Sequence, residues 1–337
     1  MKKIAINGFG RIGRLTFRQL FELGNVEIVA INDLTDPATL AYLLEHDTAQ
    51  GVFHKGKVSS KEGAIVVDGK EIKIYAERNA ADLPGGELGI DLVVEATGFY
   101  ADREKAQAHI NAGAKKVIIS APATGNLKTI VFGVNHKTLT SEDVVLSGAS
   151  CTTNCLSPMA KVLDEKFGIV KGLMTTVHAV TNDQRLLDLP HSDLRRARAA
   201  GYNIIPTKTG AAAAVGKVLT NLNGKLDGLA LRVPVITGSI VDLSVELGKN
   251  VTVDEINKAV KDALAADKDL AAAMDYNTDP IVSSDIIGSK FGSIFDATMT
   301  KVMEVEGKQM VKVFAGYDNE NSFTSQFVRT ISHLLSL

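Results

Sequence analysis

Lys3-Ile4-Ala5-Ile6-Asn7-Gly8-Phe9-Gly10-Arg11-Ile12-Gly13, and the residues that run on to Asn32-Asp33, decide the fold of this chain. Residues 3–7 are a short apolar strand. A G-x-G-x-x-G run follows at once, residues 14–23 continue as an amphipathic helix, and Gly24-Asn25 ends it. Residues 26–31 are a second buried strand that closes on an acid. A glycine triplet alone carries little. Strand, glycine turn, helix, strand and acid in this order predict a βαβ unit that holds a dinucleotide. The glycines let the backbone approach a pyrophosphate resting on the helix N-terminus. Gly8, Gly10, Arg11, Ile12 and Gly13 are therefore cofactor-binding candidates. Asp33, 20 positions after Gly13, is placed to take ribose hydroxyls. Its carboxylate repels a 2′-phosphate, which favours NAD over NADP. The competing reading is a glycine-rich turn with no ligand.

The alternation continues outward. Residues 37–45 read as a helix and 46–52 as a loop. Residues 57–60, 64–67 and 71–76 read as an antiparallel excursion turning on Asp68-Gly69. Strands are expected at 91–95 and 116–120, with a helix at 102–112 between them. Residues 1–150 are thus expected to form a doubly wound, Rossmann-type α/β sheet. Ligands of such sheets sit beyond the C-terminal strand ends, so Thr97, Gly98 and Ser120 are candidates to line the cofactor's path.

The strongest chemical signal is Ser150-Cys151-Thr152-Thr153-Asn154-Cys155, which follows the apolar run 144–146 and opens a helix over 156–167. A cysteine at a helix N-terminus meets the positive end of the dipole, which lowers its pKa and favours the thiolate. The bland alternative is two small buried residues in a helix. His178 lies in the strand-like run 169–180. A lone histidine there is usually a core group, but beside a helix-opening cysteine it is a candidate base. Residues 184–209 lack periodicity apart from a turn at 194–199. They hold Arg195, Arg196 and Arg198, and lead through Thr207-Lys208-Thr209-Gly210 into an alanine-rich helix over 210–219, an anion-receptive N-terminus. Arg232 interrupts the apolar strand 225–233 and needs an anionic partner. Further strands at 239–247, 291–295, 298–305 and 309–315, with a helix at 253–265, predict an α+β domain with helices on one face of its antiparallel or mixed sheet. Tyr317-Asp318-Asn319-Glu320 opens a final helix to Leu337.

Several function classes are excluded. The 337 residues suggest two domains by the rough prior of ~150 residues each. A net charge of −2 and the lack of a long basic run argue against nucleic acid, and no apolar stretch reaches the ~18 residues of a membrane span. Met1-Lys2-Lys3 is too short to open a signal peptide. The two cysteines stand four apart on one helix face, roughly 6 Å between Cα atoms with parallel side chains, so no bridge is expected. That favours a reducing, cytoplasmic compartment. No metal site is expected.

Taken together these residues resemble the phosphorylating glyceraldehyde-3-phosphate dehydrogenases of the bacterial type. The resemblance covers nearly the whole chain. It rests on the glycine run 7–14, the cysteine hexapeptide, Met174-Thr175-Thr176-Val177-His178-Ala179, Asp193-Leu194-Arg195-Arg196-Ala197-Arg198, Asn223-Gly224-Lys225-Leu226, Arg232-Val233-Pro234 and Tyr317-Asp318-Asn319-Glu320. It implies NAD-dependent oxidation of glyceraldehyde 3-phosphate to 1,3-bisphosphoglycerate in glycolysis, through a thiohemiacetal and a thioester on Cys151, with His178 as base. It implies that Thr181, Asp183 and Arg232 hold the substrate's own phosphate. Ser150, Thr152, Arg195, Thr209 and Gly210 would receive inorganic phosphate. Arg78 joins the cofactor set, Asn319 would orient the nicotinamide amide, and Asp33 with Leu189-Pro190 looks like the NAD-using branch. The expected organisation is a homotetramer whose 186–190 loop reaches a neighbour's cofactor site. Within the chain it is an NAD-binding domain at 1–150, a catalytic domain at 151–316, and a C-terminal segment at 317–337 packing back on the first.

The chain departs from the family's pattern at four points. Gly316 stands where a tryptophan is usual, Asn321 where a larger apolar residue is, Phe323 where a tyrosine is, and Ala213 where a lysine is. Rival readings are a dehydrogenase of another short sugar phosphate, such as erythrose 4-phosphate, and a catalytically poor binding or adhesion paralogue.

Overall fold

The computed structural model describes residues 1–337 and divides into two units. One comprises Met1–Ile130, Thr138–Ala149 and Phe327–Leu337; the other comprises Val131–Lys137 and Ser150–Gln326. The chain passes from the first to the second between Ala149 and Ser150, one residue before Cys151. The C-terminal helix Asn321–Ser336 is shared, its residues from Phe327 on belonging to the first unit.

The first unit is built on a nine-stranded sheet. Lys2–Asn7 lies inside it, parallel to Val26–Asn32 on one side and to Leu92–Glu95 on the other. Val117–Ile119, Val145–Ser147 and Lys128–Thr129 extend it in parallel beyond Leu92–Glu95. Lys70–Tyr75 extends it past Val26–Asn32, and the antiparallel strands Ala64–Val67 and Val58–Lys61 form the edge. Asp68 (φ 48°) and Gly69 (φ 78°) make the hairpin turn, both central residues in the left-handed region as a type I′ turn requires. Ile4, Ile6, Leu92, Val94, Ile118 and Leu146 are fully buried, as strands covered on both faces must be. The strand order reverses direction at Lys2–Asn7, where ligands of doubly wound sheets bind.

The three glycines have different physical duties. Gly8 has φ +92°, and a Cβ there would lie 2.7 Å from Thr97 N. A Cβ on Gly13 would lie 2.0 Å from Gly8 O, so Gly13 lets the helix Arg11–Leu23 pack against the strand that precedes it. Gly10 meets nothing within 4 Å. Gly13→Ala is accordingly expected to destabilise the fold by several kcal/mol, in the range of severe backbone strain. Gly10→Ala should keep the melting temperature and weaken dinucleotide binding. Thermal melts and titration calorimetry on both variants check this, and equal melting temperatures would defeat the assignment.

The second unit is built on an eight-stranded mixed sheet. Ile169–Ala179 pairs parallel with Leu226–Val233 and antiparallel with Ser239–Leu247, which pairs in turn with Lys308–Tyr317. Helices Cys151–Phe167, Ala211–Val218 and Val253–Ala266 contribute Leu156, Met159, Val215 and Ile256 to a core shared with Met174, Val241, Leu243 and Val313 from the strands. Residues that alternate with these, among them Leu173, Leu229, Met303 and Met310, stay exposed.

One expectation needs correction here. The stretch 184–209 is not wholly irregular: Ile205–Lys208 is an edge strand antiparallel to Leu226–Val233. It contains Pro206, which an edge strand tolerates. Residues 194–197 form a turn in which Ala197 N donates to Asp193 O at 3.1 Å.

The departures are accommodated. Ile286 fills the space beside Gly316, where a Cβ would lie 2.4 Å from Ile286 Cδ1. Asn321 donates to Gly288 O at 2.8 Å and Ser289 O at 3.1 Å, Phe323 is buried, and Ala213 is exposed.

Candidate active site

Cys151 is the first residue of helix Cys151–Phe167. Ser150 caps it, its Oγ accepting from Thr153 N at 3.0 Å, which satisfies one of the helix's orphan donors. His178 is the penultimate residue of strand Ile169–Ala179, and in the neighbouring parallel strand it pairs in register with Arg232. This register brings a helix start and two strand ends together. Cys151 Sγ lies 3.4 Å from His178 Nε2.

Two atoms compete at the other ring nitrogen. His178 Nδ1 lies 2.7 Å from Ala179 O and 2.7 Å from an Arg232 amino group, which is itself 3.1 Å from Ala179 O. Nδ1 cannot donate to the carbonyl and accept from the guanidinium at once. With Nδ1–H donating to Ala179 O and Arg232 donating to the same carbonyl, Nε2 is an acceptor facing the thiol. That is the base-competent tautomer. Burial and the charge of Arg232 push the His178 imidazolium down to about 3, so the ring stands neutral. Burial also pushes the Cys151 thiol up, while Arg232 pulls it back. The helix terminus, legible in the sequence, acts with Arg232 in favour of the thiolate; desolvation, invisible from the hexapeptide, opposes both.

Tyr317, which the sequence reading did not single out, ties these elements together. Its buried hydroxyl is 2.8 Å from Thr152 Oγ1 and 2.8 Å from Thr176 Oγ1, one residue beyond the cysteine and two before the histidine. Cys155 is fully buried, with Sγ 3.8 Å from Ser293 Oγ and 3.7 Å from Ala315 O, and burial pushes its thiol far up. Both cysteines are free.

The anion candidates separate. Arg232 is half-buried beside the pair, and its Nε is buried without a partner. Asp183, being acceptor-only, does not suit a phosphate; it holds Arg196, 2.5 Å from its amino group. Arg196 also donates to Thr207 Oγ1 at 2.9 Å and Lys208 O at 3.1 Å, and its charge adds to the field at both His178 and Arg232. Arg195 is exposed, and its one side-chain bond is to Pro206 O at 3.4 Å. Of these two arginines, Arg196 is the one that side chains of the loop and of the edge strand hold in place, and the one whose charge reaches His178 and Arg232. Thr181 N donates to Gln184 Oε1 at 3.1 Å. Thr209 Oγ1 accepts from Ala211 N at 3.2 Å, beside Gly210 at the start of helix Ala211–Val218. Asn319 Oδ1 accepts from Thr237 Oγ1, Gly238 N and Ser239 Oγ at 3.0–3.2 Å, which turns its NH₂ end away from them.

In the first unit the dinucleotide candidates stand at the strand ends. Asp33 accepts from Phe9 N at 2.8 Å and Thr35 N at 3.0 Å, holding the glycine turn. Arg11 pairs with Asp47, so within this turn it offers its backbone. Ile12, in the first turn of the same helix, is half-buried. Arg78 is exposed on the segment after Lys70–Tyr75. Gly98 has φ +79°, and Ser120 N donates to Glu95 O at 2.9 Å. Leu34 and Phe99, 54% and 79% exposed, follow Asp33 and Gly98 directly. They offer apolar faces for a base, and an apolar residue right after each strand-end motif was the signal for them. These residues fit a dinucleotide: the space over Gly10 is open, and an acid stands at the end of the next strand.

Two family models match: the NAD binding domain of glyceraldehyde 3-phosphate dehydrogenase over residues 2–103, and its C-terminal domain over residues 150–319. The glyceraldehyde-3-phosphate dehydrogenase of Clostridium acetobutylicum is 58% identical over 339 residues, covering 100% of this chain and 99% of the relative. That of Clostridium pasteurianum is 57% identical with the same coverage. That of Streptococcus pyogenes is 56% identical over 338 residues, covering 99% and 98%. With this likeness running from end to end, and a thiol, an imidazole and a guanidinium group gathered in the C-terminal half, the chain belongs to the glyceraldehyde-3-phosphate dehydrogenase family.

Proposed function

We infer that this chain is an NAD-dependent glyceraldehyde-3-phosphate dehydrogenase, oxidising glyceraldehyde 3-phosphate to 1,3-bisphosphoglycerate with inorganic phosphate as the acyl acceptor. The observation that carries the reading is the 3.4 Å approach of Cys151 Sγ to His178 Nε2 beside Arg232. The test is NADH formation with glyceraldehyde 3-phosphate, with and without phosphate, and with erythrose 4-phosphate as rival substrate. Phosphate-independent turnover, or preference for the four-carbon sugar, would overturn it.

Each residue then has a task. Nε2 of His178 takes the thiol proton as Cys151 Sγ bonds to the aldehyde carbon, giving a thiohemiacetal. His178 hands that proton to the new alkoxide oxygen, and then takes the hydroxyl proton back while the carbon is oxidised to the thioester. NAD, when bound, supplies the hydride acceptor. The thioester keeps the oxidation energy until phosphate oxygen attacks the acyl carbon and Cys151 leaves as thiolate. Arg232, with Thr181, grips the phosphate the substrate carries. Arg196, held by Asp183 and Thr207, receives the second phosphate with Ser150, Thr152, Thr209 and Gly210. Asn319 presents its NH₂ to the nicotinamide carbonyl. Residues 1–150 serve as the NAD-binding domain, 151–316 as the catalytic domain and 317–337 as a segment returning to the first.

The arginines should fail differently. Each guanidinium contact to an anion is worth about 1.5–3 kcal/mol, roughly 10- to 100-fold in KM. Arg232→Ala is expected to raise KM for glyceraldehyde 3-phosphate by that factor and to spare unphosphorylated glyceraldehyde. Arg196→Ala should raise KM for inorganic phosphate and keep the NADH burst of the first turnover. Arg195→Ala should change neither. Burst kinetics at varied phosphate decide it: if Arg195→Ala carries the phosphate defect, the choice of Arg196 is wrong.

A homotetramer is supported by apolar side chains with no cover within the chain. They are Leu173, Leu229, Met303 and Met310 on the sheet, and Leu186, Leu187, Leu189 and Leu194 in the 184–204 loop. A cytoplasmic setting is supported by two free cysteines, and no helix is long and apolar enough to cross a membrane.

A further inference from the structure

Beneath the dinucleotide turns lies a buried polar network that the chemistry above does not use. Its hub is Glu95, 1% exposed at the end of strand Leu92–Glu95. Its Oε2 accepts from Asn7 Nδ2 at 2.6 Å and faces His109 Nε2 at 2.7 Å. Its Oε1 accepts from Thr97 N at 2.8 Å and Thr97 Oγ1 at 2.5 Å. Asn7 passes the chain on: its Oδ1 accepts from Asn32 Nδ2 at 2.7 Å, and Asn32 makes a two-way pair with the backbone of Glu77, at 2.9 Å to its carbonyl and 2.8 Å from its N–H. His109, also 1% exposed, reaches in from helix Arg103–Asn111.

The spacing along the chain is what gives this network meaning. Asn7 immediately precedes Gly8, Asn32 precedes Asp33, Glu77 precedes Arg78, and Thr97 precedes Gly98. One carboxylate thus holds, through at most two further side chains, the four backbone turns that carry the cofactor candidates. Burying a carboxylate is costly unless every lone pair is used, and four donors use them. An apolar core would be the cheaper filling for this space.

We propose that Glu95, with His109, is a positioning residue for NAD: it sets the glycine turn, the ribose acid and the Thr97-Gly98 turn relative to one another without touching the cofactor. This deepens the NAD reading above and rests on it. Glu95→Gln is nearly isosteric, but whichever way its amide lies, the NH₂ end faces an N–H donor that cannot turn to accept, Thr97 N on one side or the Asn7 amide held by Asn32 on the other. His109→Leu removes one donor, and His109→Gln retains one.

The experiment measures NAD affinity by titration calorimetry on the full chain. Alongside it run KM for NAD, aldehyde and phosphate, and melting temperature. Leu92→Ala, fully buried in the same strand and far from the network's polar atoms, is the control for lost stability. Glu95→Gln and His109→Leu should weaken NAD binding by roughly tenfold or more, the equivalent of one charge-assisted hydrogen bond. KM for aldehyde and phosphate, and kcat at saturating NAD, should hold. His109→Gln should restore binding, and Leu92→Ala should lower the melting temperature with NAD affinity intact. If Glu95→Gln does not fold, His109→Leu against His109→Gln carries the comparison. Unchanged NAD affinity in the folded variants, or a loss that tracks melting temperature through Leu92→Ala, would overturn the proposal. A wild type that does not bind NAD would overturn the functional reading itself.

Discussion

Cys151→Ser should abolish NADH formation, by roughly 10⁴-fold or more, while Cys155→Ser keeps most of it. The two thiols share a helix and a chemical type, so the difference must come from place. Cys151 opens the helix, half-buried, with His178 Nε2 3.4 Å away and Arg232 beside the imidazole. A serine hydroxyl there is a far weaker nucleophile at neutral pH. Its oxygen is also smaller than sulfur and sits farther from the ring nitrogen. Cys155 lies one turn deeper and fully buried, against Ser293 and Ala315, with no base in reach and burial acting against its thiolate. Replacing it should cost stability of about 1 kcal/mol, the usual scale of a conservative change at a buried position. The measurements are steady-state turnover and iodoacetamide labelling mapped by mass spectrometry. Wild type and Cys155→Ser should label at residue 151, and Cys151→Ser should not label. A folded Cys155→Ser variant as inactive as Cys151→Ser would sink the assignment of a single nucleophile.

How far this site was legible in the sequence depended on whether its determinants were local. The glycine turn, the helix after it and Asp33 lie within one supersecondary unit, and their spacing alone placed them. Cys151 and His178 were legible because a helix start and a strand each constrain one side chain. Their meeting follows from the sheet register with Arg232. Arg195 and Arg196 were not separable, because no periodicity governs 184–204 and the difference is made by Asp183 and Thr207, 13 and 11 residues away from Arg196. Tyr317 and the Glu95 network were out of reach altogether: Tyr317 meets Thr152 across 165 residues, and Asn7 meets Glu95 across 88. The thiol's environment was misjudged for the same reason, since burial is set by the whole core and the helix terminus by four residues.

His178→Asn should slow acylation by roughly 10²–10⁴, the usual worth of a positioned general base, and leave NAD binding as it is. Asparagine can still accept from Arg232 or donate to Ala179 O, but it cannot take a proton from Sγ. Alkylation of Cys151 at neutral pH should therefore slow as well, to the rate that the helix terminus and Arg232 sustain alone. Unchanged alkylation would mean that these two set the thiol's reactivity without the imidazole. The same substitution has a stability signature with a definite sign. His178 is held neutral down to about 3 in the folded chain, against an ordinary value of 6.5. Between these values the unfolded chain binds a proton that the folded one does not. The stability tied to this group is thus fully present above about pH 6.5 and is lost progressively as pH falls towards 3. Asparagine has no such proton. Urea melts of the two proteins from pH 7 downward should show the variant losing less stability than wild type on acidification. Parallel pH dependences would mean that His178 gains its proton as easily folded as unfolded. It would then not be the neutral, buried imidazole that the Arg232 and Ala179 contacts describe.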